Sequence, residues 1–119
     1  MRDFEFHEYK FYVGQSAKEN WSLLDNAKAE NPDFIWFHLD SFSSPYVIMW
    51  ATIEDLEKSR ESLDKYLNYG ASLCKSYSKY KNLKDLKIMY TTVKKLTKTD
   101  IIGEVDIKGK YKTLIVDGR

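Results

Sequence analysis

Two apolar runs separated by a short polar loop constrain the fold of this chain more than any other feature. They are FIWFHL, from Phe34 to Leu39, and YVIMW, from Tyr46 to Trp50, and the loop between them contains three serines and a proline. Apolar runs of this length, bounded by turn-forming residues, are typical of buried strands. We therefore expect two central strands of one sheet.

The length of 119 residues suits one core, because a single domain usually comprises roughly 100–200 residues. We predict one domain over residues 1–119. No stretch approaches the roughly 18–20 uncharged apolar residues of a membrane helix, and the first ten residues lack the apolar segment of a signal peptide. The single cysteine, Cys74, excludes an intramolecular disulfide. These observations predict a cytoplasmic protein.

The first third of the chain indicates a hairpin followed by a helix. Phe4 and Phe6 alternate with charged residues before a short apolar run that stops at Gly14, which is the pattern of two half-buried strands. Ser16 and Glu19 then form the sequence of a capping box. We predict a helix from residue 17 to residue 29, where Asn-Pro follows.

A long helix is predicted over residues 53–81. Thr52 and Asp55 supply a cap at its start, and apolar or small residues recur at helical spacing to Cys74 and Ser78. Gly70 in its middle costs about 1 kcal/mol relative to alanine, so we expect it to pack closely against the sheet. Cys74 lies on the apolar stripe and is expected to be a core residue.

Three strands are predicted in the last third, over residues 87–93, 103–108 and 112–116, with Gly109-Lys110 as a tight hairpin turn between the last two. The fold class that results is α+β: a mainly antiparallel sheet with one long helix and one short helix, the long helix covering one face.

The sequence contains little that would support catalysis. His7 and His38 are the only histidines, and neither Cys74 nor any serine stands in a recognisable nucleophile motif. Glycine-rich phosphate loops are absent, and His38 with Asp40 is a weak metal signal. We predict no catalytic residues, no cofactor and no metal site.

Charge is distributed unevenly along the chain. Residues 1–64 carry 13 acidic and six basic side chains, whereas residues 65–119 carry 13 basic and five acidic ones, so formal charges of −7 and +8 combine to the net +1. Lysines gathered on one face would attract a polyanion. The alternative is that they form the ordinary solvated surface of a domain, interleaved with acidic neighbours.

Basic residues interleaved with aromatic ones supply the candidate nucleic-acid contacts. Lysines would contact phosphates, and an exposed ring would stack on an unpaired base for about 1–3 kcal/mol. The alternatives are that lysines in a last helical turn stabilise the helix dipole and that Tyr77 continues the core stripe. The candidates are Lys75, Lys79 and Tyr80 near the end of the long helix, and Lys94, Lys95 and Lys98 after the strand over residues 87–93.

The order of several short motifs carries a resemblance to a known family. The motifs are YVG (12–14), KEN (18–20), DFIWFH (33–38), SSPYVI (43–48) and YTTVKK (90–95). In this order, over roughly residues 4–117, the chain resembles the NFACT-R domain. The resemblance implies an RNA-binding module without established catalytic activity. It occurs in ribosome-associated quality-control proteins that engage tRNA on the large ribosomal subunit, and as short stand-alone proteins.

The resemblance also implies a polar cluster at one end of the sheet. The matching residues here are Lys18, Asn20, His38, Ser43 and Ser44. Two positions depart from the family pattern: Gln15 stands where arginine is frequent, and Tyr46 where histidine is frequent. We expect Lys94, Lys95 and Lys98 to contact phosphates, and the polar cluster to read sugars or base edges.

These observations predict a non-catalytic domain that binds RNA, and tRNA or rRNA are the favoured classes of RNA. The ribosome and DNA are further candidate partners, and no membrane partner is expected. The alternative function is a protein-interaction adaptor whose basic face and exposed aromatic residues meet an acidic protein. A small hydrolase would depend on His38 and Asp40 alone.

Overall fold

A computed structural model of the chain describes residues 1–116. Within them, six strands form one antiparallel sheet, two further strands form a small separate sheet, and three α-helices pack around both. The predicted α+β class with a mainly antiparallel sheet is confirmed. The strands are β1 (Arg2–Phe6), β2 (Tyr9–Val13), β3 (Ile35–Leu39), β4 (Val47–Met49), β5 (Leu86–Thr92), β6 (Leu96–Lys98), β7 (Val105–Ile107) and β8 (Lys112–Val116), and the helices are α1 (Ala17–Glu30), α2 (Ile53–Glu57) and α3 (Leu63–Ser76).

The two apolar runs form the centre of the large sheet, as predicted. The strand order is β1-β2-β4-β3-β5-β8, and every neighbouring pair is antiparallel. Trp36 pairs with Ile48 on one side and with Thr91 on the other. All residues of β3 and β4 except His38 are buried, because the strands lie between two layers.

Other elements cover both faces of the large sheet, whereas the sequence analysis predicted a cover on one face only. Alternate residues of β3 point to opposite faces. Phe37 belongs to the core beneath α2 and α3, whereas Trp36 is 1 % exposed in a second core with Leu23 and Leu24 of α1 and Leu96 of β6. Trp36 is therefore a core residue.

The predicted helix over residues 53–81 is wrong in its bounds, because one interruption divides it and its second part ends early. Helix α2 ends at Glu57, and the hydroxyl of Ser59 then accepts the N–H of Glu61 and bonds the Tyr66 hydroxyl at 2.8 Å. Such side-chain bonds compete with helical backbone bonds. Helix α3 ends at Ser76, where the Ser78 hydroxyl donates to the carbonyl of Lys75.

Close packing of α3 on the sheet explains Gly70, as the sequence predicts. A Cβ at this position would stand 2.5 Å from the ring of Phe37, which is fully buried. Cys74 lies one turn further along α3 and is also fully buried, so its prediction as a core residue is confirmed.

The predicted hairpin of the last two strands is wrong. Strand β7 pairs with β6, which the sequence analysis missed, and β8 pairs with β5 at the edge of the large sheet. Val105 and Ile107 pack on the core beneath α1, whereas Leu114 and Val116 pack on the core beneath α3. Residues 108–111 therefore cross from one layer to the other.

Candidate nucleic-acid interface

A cleft of about 590 Å³ lies where β3 ends, on the α1 side of the sheet. It is lined by the start of α1, the ends of β3 and β5, the loop between β3 and β4, the segment after α3, and the connection between β6 and β7. We call this the cleft. Its lining residues are 15–17, 20, 36, 38, 43–46, 77–79, 89, 101–105 and 107.

Asn20 joins three segments at the floor of the cleft. Its Oδ1 accepts the backbone N–H of Tyr46 at 3.2 Å, and a Cβ on Gly14 would stand 2.2 Å from the same oxygen. Gly14 is therefore needed for Asn20 to approach. Since Oδ1 is the acceptor, Nδ2 is the donor, and it has no hydrogen-bond partner among residues 1–116.

His38 presents an acceptor to the same cleft. Its Nδ1 lies 2.8 Å from the carbonyl oxygen of Leu39, which can only accept, so Nδ1 carries the proton and Nε2 holds a lone pair. The ring stacks on Trp36 with centroids 5.3 Å apart. Burial lowers the pKa of His38 below its ordinary value and keeps the imidazole neutral, against the opposing effects of the Leu39 carbonyl and Asp40.

The two predicted serines differ in what they can offer a ligand. The hydroxyl of Ser44 accepts the N–H of Leu39 at 3.1 Å and donates to the carbonyl of Pro45 at 3.0 Å, so it is occupied within the loop. Ser43 is exposed at the cleft. Cys74 lies 3.6 Å from the Ser44 hydroxyl, and burial raises the pKa of its thiol to about 12, which leaves it protonated.

Tyr46 holds the connection between β6 and β7 in place, a role that sequence reasoning missed. Its hydroxyl donates to the carbonyl of Gly103 at 2.6 Å, and burial raises its pKa to about 12. Gly103 has φ +89°, and a Cβ there would stand 2.7 Å from the Cβ of Ala17. The connection therefore reaches across to the start of α1 and places Ile101 and Ile102 at the rim of the cleft.

Five of the eleven predicted contact residues line the cleft: Asn20, His38, Ser43, Ser44 and Lys79. Lys18 is exposed in the first turn of α1, next to the lining residue Ala17. Tyr80 packs against the core, and its ring lies 4.5 Å from that of Phe42, which is 41 % exposed. Lys75 is only 2 % exposed, so almost none of its side chain is open to a ligand.

Lys94, Lys95 and Lys98 do not line the cleft. The N–H of Lys94 bonds the carbonyl of Pro32, before the start of β3, whereas the cleft lies at the end of that strand. Four strand residues separate these ends by about 13 Å. The ammonium of Lys94 is 2.8 Å from Asp33, and that of Lys98 is 2.7 Å from Asp25, so acidic residues of the first half neutralise these two lysines. The ammonium of Lys95 donates to the carbonyl of Lys110.

A group of exposed lysines without acidic partners in the described chain follows α3, and the last of them, Lys87, stands at the cleft end of β5. The carbonyl of Lys87 accepts the N–H of Asp40, directly after β3. None of the exposed lysines from the end of α3 to the second residue of β5 forms an ion pair within residues 1–116. The predicted contact residues include one of them, Lys79. These lysines are Lys79, Lys81, Lys84 and Lys87.

Metal binding finds no support at this site. Over the described chain, no three side chains of histidine, cysteine, aspartate or glutamate gather where they could hold an ion. Glu104 lines the cleft, but its carboxylate accepts a hydrogen bond from the hydroxyl of Thr99 at 3.1 Å. In the same described part, no helix combines the length and apolar character needed to cross a membrane.

The motifs that line the cleft belong to a known sequence family. The profile of the NFACT protein RNA binding domain matches residues 4–112, which include Asn20, His38 and the connection that carries Gly103. The chain belongs to this family. NFACT RNA-binding domains are RNA-binding rather than catalytic modules, so membership supports RNA binding in general.

A solved structure has the same fold as this NFACT RNA-binding domain. It is the C-terminal part of the fibronectin/fibrinogen-binding protein from Streptococcus suis, with a TM-score of 0.75 and 22 % sequence identity. The match covers 93 % of this chain and 42 % of that one, so the present chain spans less than half of the solved structure. No curated protein matches the sequence.

Proposed function

We propose that this domain binds tRNA or rRNA at the cleft end of its sheet, as a non-catalytic cytoplasmic module associated with the ribosome. One observation supports this most: Asn20 and His38, at positions of the family motifs, present to one cleft a donor and an acceptor that have no partner among residues 1–116. Such groups make directional hydrogen bonds to base edges or sugar hydroxyls, which phosphate contacts cannot replace.

The four lysines that follow α3, which form no ion pair within residues 1–116, supply the second part of the proposed interface. Lys79 lines the cleft, and Lys81, Lys84 and Lys87 follow it along the chain. An ammonium acts on phosphate as a point charge, so these residues would hold any strand, RNA or DNA. Sequence-independent attraction would come from them, and the preference for RNA would come from the cleft.

Fluorescence anisotropy with labelled tRNA and with an rRNA fragment tests the proposal, at low and at near-physiological salt. Neutralised phosphates make log K fall linearly with log salt, so binding should weaken steeply between the two conditions. A DNA strand of matched length measures the preference for RNA. Failure to bind either RNA at low salt contradicts the proposal. A protein partner that stays bound in a pull-down after RNase treatment would favour the adaptor function instead.

A further inference from the structure

Two adjacent isoleucines at the rim of the cleft contribute little to the core. Ile101 and Ile102 are 58 and 60 % exposed. Their segment is held firmly, because the Thr99 hydroxyl accepts the N–H of Ile101 at 3.1 Å and Gly103 is bonded to Tyr46. Single exposed apolar residues are common, but this pair is fixed beside an open cleft. The pair forms an apolar wall at the rim of the cleft.

The floor of the cleft is polar, in contrast to this apolar wall. The Nδ2 of Asn20 donates and the Nε2 of His38 accepts, and both lack a protein partner within the described residues. A nucleobase has apolar faces and an edge that carries both donors and acceptors. The apolar wall suits its face, and the two polar atoms suit its edge.

We propose that the cleft takes one unpaired nucleotide of an RNA strand, with its base against Ile101 and Ile102 and its edge toward Asn20 and His38. This inference rests on the proposed function and specifies which part of an RNA is recognised. Enzymes and binding modules that read an unstacked base combine apolar side chains on its face with hydrogen bonds to its edge.

Base pairing decides which RNA can enter. In a duplex, the base edge is paired and both faces are stacked, so neither the wall nor the polar atoms can reach them. The cleft volume of about 590 Å³ lies within the range of small-ligand sites. A strand end or an unpaired loop therefore fits, and a continuous duplex does not.

Two RNA hairpins, each closed by a polyethylene glycol linker in place of a nucleotide loop and differing only in a short unpaired 3′ tail, test this inference. The tail carries the fluorescent base 2-aminopurine, and anisotropy gives Kd for each hairpin. We expect the tailed hairpin to bind about tenfold more tightly, which corresponds to about 1.4 kcal/mol. The double variant Ile101→Ser/Ile102→Ser should remove this preference and the accompanying change in 2-aminopurine fluorescence, while the blunt hairpin binds as before.

Ile115→Ser is the matched control, since Ile115 is 57 % exposed on β8 and does not line the cleft. It should leave the preference for the tail intact. Equal Kd values for the two hairpins, or a tail preference that survives the double variant, would overturn the inference while RNA binding itself stands. Binding to neither hairpin would overturn the proposed function as well. A nucleoside monophosphate that displaces the tail at equal concentration would identify the cleft as a site for free nucleotides instead.

Discussion

The side-chain oxygen of Asn20 accepts the backbone N–H of Tyr46 across 3.2 Å, and this bond ties α1 to the entry of β4. Asn20 is 6 % exposed, so the bond is protected from water. One amide thus has two duties: its oxygen maintains the fold, and its nitrogen faces the cleft. The two duties can be separated by substitution.

Asn20→Ala should destabilise the domain, because it leaves the Tyr46 N–H buried without an acceptor. The expected loss in the free energy of unfolding is about 1–3 kcal/mol. Asn20→Asp keeps an acceptor near the positive end of α1 and should lose less stability, but it replaces the donor in the cleft. Urea unfolding and RNA anisotropy on both variants check this. An Asn20→Asp protein that binds RNA as tightly as the wild type would show that Nδ2 makes no contact.

Tyr46→Phe removes the hydroxyl that holds Gly103 and should loosen the connection between β6 and β7. The expected loss of stability is about 0.5–1.5 kcal/mol, typical of one hydrogen bond. Amide hydrogen exchange should accelerate at residues 101–104, while the strands of the large sheet keep their protection. Unchanged exchange in this segment would mean that the contact between Gly103 and Ala17 is sufficient to hold it.

The domain should lose stability as the pH falls through the ordinary pKa of histidine. Burial holds the pKa of His38 below 6.5 in the folded protein, so the unfolded chain binds more protons between the two values, and acidification favours unfolding. His38→Gln removes this contribution. The difference between urea midpoints measured at about pH 7.5 and about pH 5.5 should be smaller in the variant than in the wild type. Identical differences would contradict the assignment to His38.

Gly70→Ala should lower the stability, although alanine is the better helix former by about 1 kcal/mol. The added methyl would stand 2.5 Å from Phe37, and overpacking of a full core typically costs about 1–3 kcal/mol. Ser72→Ala, at an exposed position of the same helix, is the control and should leave stability equal or slightly higher. A rise in the urea midpoint of Gly70→Ala would show that Phe37 can move aside.

Lys79→Ala should weaken binding of RNA and DNA alike and reduce the salt slope by about one. Lys98→Ala should have less effect, because Asp25 already neutralises that ammonium. Lys58→Ala is the control, since Lys58 lies in the acidic half of the chain beside Glu54. Equal losses for all three variants would indicate attraction to net charge rather than to the cleft end of the sheet.

Local sequence patterns predicted the central strands well. They failed where contacts between distant parts of the chain determine the structure. The two apolar runs could be recognised because both faces of the sheet are covered. As a result, every residue of β3 and β4 except His38 is buried. The helix over 53–81 looked continuous because Leu56, Leu63 and Leu67 recur at helical spacing. All three do pack in one core, but the hydroxyls of Ser59 and Tyr66 bond each other and interrupt the helix.

Prediction of the candidate site from the sequence was limited in the same way. Family motifs indicated Asn20 and His38, and the structure places both in one cleft. Ile101 and Ile102 carry no sequence signal of their own, because their position depends on a bond between Tyr46 and Gly103, 57 residues apart. Likewise, counting lysines could not show that Asp25 and Asp33 lie beside Lys98 and Lys94.

The lining of the cleft comes from segments between residues 15 and 107, so the cleft exists only when α1, the central strands and the β6–β7 connection have assembled. A ligand bound there recognises the native state and has no counterpart in the unfolded chain. Its binding therefore adds RT ln(1 + [L]/Kd) to the free energy of unfolding of the whole domain. Occupancy of one cleft lowers the fraction of chains open to proteolysis, so the lifetime of the protein becomes coupled to the supply of its ligand.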